Sequence, residues 1–249
     1  MLKYIEDCFP SFFCEGGIDL IKARITCYAE CYGFDKPFAD FWYGEGVVVS
    51  RYDSAVTVWA DNTADFAELR EFLDVIGAYN IVTYEWIAKE LKYTTFSVKR
   101  SFAYRGKANR SADVTALNDD CIRSAYRLVS ESISDSFKKD ENSYMAFLSD
   151  YMYRKNRGHA RGYCVTDNNA VIAVGFTAAE TEKAAILSGI SCKEKYRGCG
   201  LGGKIVLSLA TDLSDEGKQV FVIALNESAS GFYMHIGFEE SDAIAYITL

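Results

Sequence analysis

The chain has 249 residues, 49% of them hydrophobic and 25% charged, the make-up of a globular protein with ample apolar material for a core. Its net charge of −8 argues against nucleic acid and anionic membrane as partners, since both repel an acidic surface. Eight cysteines, no C-x-x-C pair and only two histidines give no metal site by spacing, and they fit free thiols in a reducing, cytoplasmic setting.

No apolar run approaches the roughly twenty residues of a membrane helix. The start, Met1 to Asp7, is broken by charge and does not read as a secretory leader. Gly17 to Gly33 carries Ile18, Ile21, Ile25 and Tyr28 at helical spacing and ends at a glycine suited to a C′ position. Phe34 to Phe41 reads as a connection. Gly46 to Val49 and Ala55 to Trp59 are β-branched runs around Arg51-Tyr52-Asp53-Ser54, a hairpin. Asn62 or Thr63 is expected to cap a helix with Phe66, Leu69, Leu73 and Ile76 inward, stopped by Gly77. Tyr79 to Trp86 reads as a strand. Thr95 to Tyr104 reads as another, with Phe96, Val98, Phe102 and Tyr104 on a buried face.

The polar, basic stretch Tyr104 to Asp113 is the linker candidate, giving an accessory α/β domain over 1–105 and a second domain over 106–249. The hairpin–helix–strand order of the first echoes the second, as a degenerate copy would, but Ala60-Asp61-Asn62-Thr63 brings no glycines to its helix. Substrate shaping and homodimer formation are its two candidate roles. In the second domain Val114 to Leu117 suits a short strand. Asn118 or Asp119 caps a helix with Ile122, Ala125, Val129 and Ile133 on one face, and a second helix spans Lys139 to Arg154. Ala160 to Thr166 and Val171 to Ala178 form a hairpin through Asp167-Asn168-Asn169. A central strand to Cys192, a glycine-rich turn, a helix ending at Gly217, a strand to Leu225, a short helix ending at Gly237 and a last strand, Ala243 to Leu249, complete the chain.

The turn carries the chemistry. Gly198, Gly200, Gly202 and Gly203 open a helix, where unsatisfied N–H groups and the positive dipole end attract phosphate. Three phosphate signatures overlap. Gly198, Gly200 and Gly203 fit G-x-G-x-x-G, but too little chain follows for the βα units of a dinucleotide fold. Gly198, Gly203 and Lys204 fit G-x-x-x-x-G-K, but Ile205 stands where a P-loop needs Ser or Thr. Arg197, Gly200 and Gly202 fit R-x-x-G-x-G. A plain turn is the remaining reading.

The R-x-x-G-x-G stretch, followed by Asn226-Glu-Ser-Ala-Ser-Gly-Phe-Tyr-Met-His-Ile-Gly-Phe238, resembles the two motifs of the GNAT acetyltransferase superfamily in order and spacing. The resemblance covers the second domain. It implies an α/β fold with a mixed sheet, acetyl-CoA as co-substrate, no metal, and acetyl transfer to a small-molecule or peptide amine by direct attack. An acidic surface suits such a cationic acceptor. The resemblance places the diphosphate on Arg197, Gly198, Cys199, Gly200, Leu201, Gly202 and Gly203. It places the pantetheine arm along the backbone of Ile190, Ser191 and Cys192, with an N–H near Ile190 for the oxyanion. Asn226 and Ser230 are further cofactor contacts by the same resemblance, each with a helix cap as its plain alternative. Tyr233 matches the family's general acid, and packing is its alternative. Glu180, Glu182 and Glu194 read as solvated charges, and none is named as the base. His235, two residues after Tyr233, is expected to point elsewhere. A non-catalytic acyl-CoA-binding module is the second reading of the whole.

Overall fold

A computed structural model of the chain describes residues 2–107, 110–133 and 137–249, so Ala108 and Asn109 of the linker lie outside the described residues. In chain order the elements are β1 (Lys3–Tyr4), α1 (Ser11–Cys14), α2 (Leu20–Tyr32), β2 (Ala39–Gly44), β3 (Val47–Tyr52), β4 (Ala55–Ala60), α3 (Phe66–Val75), β5 (Asn80–Tyr84), α4 (Glu85–Glu90), β6 (Ser97–Tyr104), β7 (Thr115–Ala116), α5 (Ile122–Ser132), α6 (Glu141–Lys155), β8 (Gly162–Asp167), β9 (Ala170–Glu180), β10 (Ala184–Cys192), α7 (Leu201–Asp215), β11 (Gln219–Ile223), α8 (Glu227–His235) and β12 (Phe238–Thr248). Two compact units share them. One holds Met1–Phe102, Ile223–Gly231 and Glu240–Leu249, and the other Ala103–Val222 and Phe232–Glu239. The first crossing, at 102–103, lies close to the linker. The later ones have no counterpart in the sequence reading.

In the first unit β1, β2, β3 and β4 pair antiparallel in that order, and β5 joins β4 in parallel through α3. β12 then pairs antiparallel with β5, from Ile244↔Tyr84 to Thr248↔Asn80. The β-branched runs Val47–Val49 and Val56–Val58 are buried on both faces, because helices cover both. α2 lies on one, with Tyr28 stacked on Tyr52 at 4.4 Å, and α3 on the other, with Phe72 against Trp42 at 5.4 Å. Asp19 caps α2 and Gly33, at φ +80°, ends it.

Three expectations need correction here. Asp65, not Asn62 or Thr63, caps α3, because Thr63 is already engaged by the Asp61 carboxylate. Ala39–Gly44 is a strand rather than part of a connection, since its backbone pairs β3 along its length. β6 does not bury alternate residues: Val98 is exposed, while Ser101 to Tyr104 are all buried.

The second unit is an antiparallel run β7, β8, β9, β10, with β11 parallel to β10. The β8–β9 turn uses Asn168 and Asn169 at φ +49° and +63°, the left-handed conformations that asparagine tolerates. One sheet face carries α5 and α6. Their Ile122, Ala125, Tyr126, Val129 and Tyr151 pack with Cys164, Val174 and Phe176. The other face carries α7, which buries Ile205, Val206, Leu209, Ala210 and Leu213 completely. The two approach closely at Gly175, where a Cβ would fall 2.8 Å from Ile205 Cγ2. Among the described residues no helix is long and apolar enough to cross a membrane.

Candidate functional site

The site is built where β10 hands over to α7. A single 3-10 turn, Glu194–Tyr196, leaves the strand. Arg197 then folds back, its Nε donating to the Cys192 carbonyl at 3.3 Å, so the loop closes on the strand end. The Tyr196 hydroxyl donates to Asp167 in the β8–β9 turn and pins the loop from the other side. Gly198 and Gly200 stand at φ +80° and +73°, conformations that strain any residue with a Cβ. Gly200 is the left-handed N-cap of α7 and brings no capping side chain. The N–H groups of Leu201, Gly202 and Gly203 are therefore left without a side-chain acceptor, at the positive end of a fifteen-residue helix.

These groups open on a cavity of about 590 Å³. Arg197, Gly198 and Gly200–Gly203 line it, together with Cys192, so the structure brings most of the expected phosphate residues to one surface. Phe232 and Ile236 of the α8 segment form the opposite wall. Cβ atoms at Gly202 and Gly203 would sit 3.9 Å from the Phe232 ring, an ordinary contact, so the glycines leave a methyl's width open between the helix turn and this wall. Lys204 adds an ammonium to the lining and is paired with Asp113 at 2.5 Å. The donor set suits a diphosphate: backbone N–H groups, a guanidinium and an ammonium, with no acidic lining residue among the described residues.

The other expected residues do not line this cavity. Cys199 is exposed in the loop. Ile190 packs toward α7, and Ser191 is buried. Asn226 spends its side-chain oxygen capping α8, accepting from Ala229 N at 2.9 Å, and the buried Ser230 hydroxyl donates to the Asn226 carbonyl at 3.3 Å. Tyr233 is buried among aromatics, 5.2 Å from Phe232 and 5.7 Å from Phe238 between ring centres, and burial pushes its hydroxyl pKa up to about 12. His235, a different face of the same helix, lines the cavity.

Glu180 is not a solvated charge. It is 1% exposed and accepts from Arg161 and from Lys218 at 2.7 Å, while both cations also reach Glu216. This network ties the start of β8, the end of β9, the end of α7 and the start of β11, well along the sheet from the glycine loop. Glu182 and Glu194 are exposed. Among the described residues no group of three or more His, Cys, Asp or Glu side chains is placed to hold a metal.

The sequence reading missed Ser111, Tyr196, Leu207, Phe232, His235 and Ile236 as cavity walls. Only the aromatic of the Phe232-Tyr233 pair gave any signal. The first unit repeats the topology, a meander followed by a helix and a parallel strand, but not the site. At α3 the Asp65 carboxylate already takes the N–H groups of Ala67 and Glu68, both at 3.0 Å, and leaves a phosphate no room electrostatically.

Residues 162–247 match the family model described as FR47-like protein, a GNAT-related family. No curated protein matches the chain. Among solved structures, a GCN5-related N-acetyltransferase from Kribbella flavida is 13% identical, with 93% of this chain and 95% of that one covered and a TM-score of 0.64. A GNAT-family acetyltransferase from Colwellia psychrerythraea is 14% identical over 100% of both chains, with a TM-score of 0.60. A tandem GNAT protein of the clavulanic acid biosynthesis pathway is 12% identical, over 95% of this chain and 90% of that one, with a TM-score of 0.60. The fold, a mixed α/β sheet, is that of the GNAT acetyltransferases.

Proposed function

We propose that this chain is an acetyl-CoA-dependent N-acetyltransferase that moves the acetyl group to a primary amine by direct attack. The observation that carries the reading is the glycine-bounded cavity at the uncapped N-terminus of α7, which has the donors a CoA diphosphate needs. The match to the FR47-like model and the likeness to acetyltransferase folds support it. Arg197 and Lys204 supply charge to the phosphates. The β10 backbone from Ser188 to Cys192 extends past the end of the β11 ladder, at Leu187↔Val222, and is open to pairing with the amide-rich pantetheine arm. An N–H at Ile190 stabilises the oxyanion, and Tyr233, protonated across the working range, donates to the leaving thiolate. The acceptor is a small-molecule or peptide amine, and the setting is cytoplasmic. The first unit is a degenerate copy of the same fold that binds no second cofactor, its helix N-terminus being closed by Asp65.

One observation favours the second reading, a non-catalytic acyl-CoA-binding module: Tyr233 is only 7% exposed, so its hydroxyl reaches a leaving group only from within the fold. Thiol release from acetyl-CoA in the presence of an amine panel separates the two. Release that depends on amine and on Tyr233 supports the enzyme. Tight acetyl-CoA binding with no amine-dependent release supports the module.

A further inference from the structure

The glycine-loop cavity is larger than a diphosphate cradle. Its volume of about 590 Å³ lies in the range that holds a whole small-molecule ligand. The cradle N–H groups belong to the first turn of α7, but the lining continues to Leu207. Leu207 follows Gly203 by four residues, so it stands on the same side of the helix about 5.4 Å further along. Ser111 also lines the cavity and is held there, its N–H donating to Ser208 Oγ at 3.1 Å. Across from this stretch stands Ile236, whose Cγ2 a Cβ at Gly203 would meet at 3.9 Å. The cavity therefore has a second part, with Leu207 and Ile236 as apolar walls, past the N–H groups that suit a diphosphate.

Two side chains give this part hydrogen-bond donors. Lys204 comes from α7, its exposed ammonium shared with Asp113 at 2.5 Å. His235 precedes Ile236 on the facing wall, is exposed, and offers an imidazole N–H. The diphosphate already has the N–H groups of Leu201, Gly202 and Gly203 and the Arg197 guanidinium, which leaves Lys204 and His235 for a further anion. Apolar walls with a donor on each side suit a planar ring that carries an anionic group of its own.

A CoA has such an end. Beyond its diphosphate lies an adenosine whose 3′ oxygen carries a third phosphate, a monoester with close to two negative charges at neutral pH. We propose that Lys204 and His235 hold this 3′-phosphate, with the adenosine laid between Leu207 and Ile236, so that the site selects CoA over 3′-dephospho-CoA. The proposal rests on the acyl-CoA reading above. It adds a specificity for the nucleotide end, which takes no part in acetyl transfer.

The test is calorimetric titration of CoA and of 3′-dephospho-CoA into the full chain, as wild type, His235→Ala, Lys204→Met and the double variant. The wild type should bind CoA about tenfold more tightly, the size expected of charge-assisted contacts at an exposed site, and the preference should shrink as salt is raised. Each single variant should lose part of that preference, and the double variant should bind the two ligands within about twofold of each other. His235→Ala should leave 3′-dephospho-CoA binding unchanged. Equal affinities in the wild type, or a preference that survives in the double variant, would overturn the proposal while leaving the cofactor assignment intact. Failure of the wild type to bind either ligand would instead overturn the cofactor assignment itself, and this proposal with it.

Discussion

Lys204 of the α7 first turn and Asp113 of the segment before β7 form an ion pair at 2.5 Å at the edge of the glycine-loop cavity. The neighbouring Ser111 N–H donates to Ser208 of the same helix at 3.1 Å, so the segment is fixed against α7. A phosphate that takes Lys204 must exchange it from Asp113. Both side chains are well exposed, which makes the pair weak. Asp113→Asn should therefore tighten CoA binding by about two- to fivefold at low salt, with the gain fading as salt rises. A titration that finds no change would show that Lys204 does not reach the ligand.

Gly200 tests the cradle. A Cβ there meets no atom within 4 Å, but φ +73° is strained for a branched residue, and the side chain would project into the cavity. Gly200→Val should lower thermal stability modestly and abolish measurable CoA binding. Wild-type affinity in a folded Gly200→Val protein would contradict the phosphate assignment.

Tyr233 tests the chemistry. Tyr233→Phe should reduce turnover by roughly 10²- to 10⁴-fold with CoA affinity kept. With a pKa raised to about 12 by burial, the hydroxyl stays protonated well above the usual tyrosine value, so the rate of the wild type should show no alkaline limb near pH 10 from this group. Unchanged turnover in Tyr233→Phe would leave Tyr233 a packing residue.

The sequence and the structure agree where information is local. Gly198, Gly200 and the R-x-x-G-x-G spacing lie within a single turn, and their backbone demands are visible residue by residue. The hairpin at Asp167–Asn169 is legible for the same reason. What failed was set by tertiary context. Asn62, Thr63 and Asp65 are equally good caps chemically, and only the Asp61–Thr63 contact decides among them. β12 begins at Phe238 rather than Ala243 because the acidic, exposed stretch Glu239 to Asp242 hides a strand. Glu180 looked solvated because its partners Arg161, Glu216 and Lys218 come from remote positions. Phe232, His235 and Ile236 enter the cavity because Phe232 and Ile236 pack beside Gly202 and Gly203 of α7, a placement no periodicity encodes.

The Glu180 network yields a stability prediction separate from function. Removing one partner of a buried ion pair leaves the others uncompensated, and Glu180→Gln should destabilise the fold by roughly 3–5 kcal/mol. The pH dependence follows from Glu216, whose hydrogen bonds from Arg161 and Lys218 hold its pKa down at about 2. A carboxylate with a depressed folded pKa contributes stability above its unfolded value, near 4.3, that is lost as pH falls toward 2. Acid unfolding should therefore steepen between about pH 5 and 2 in the wild type and less so in Glu216→Gln. A Glu180→Gln protein as stable as the wild type would show that the network is replaceable.

The most direct test of the central claim is thermal unfolding of the purified chain with acetyl-CoA, CoA, NAD or ATP added singly. A ligand at one hundred times its dissociation constant stabilises the native state by about 2.7 kcal/mol, a rise of roughly 5–10 °C for a chain of this size. The account predicts that rise with acetyl-CoA and CoA and none with NAD or ATP. A rise with NAD or ATP alone, or no rise with any of the four, would contradict it and reduce the glycine loop to a turn.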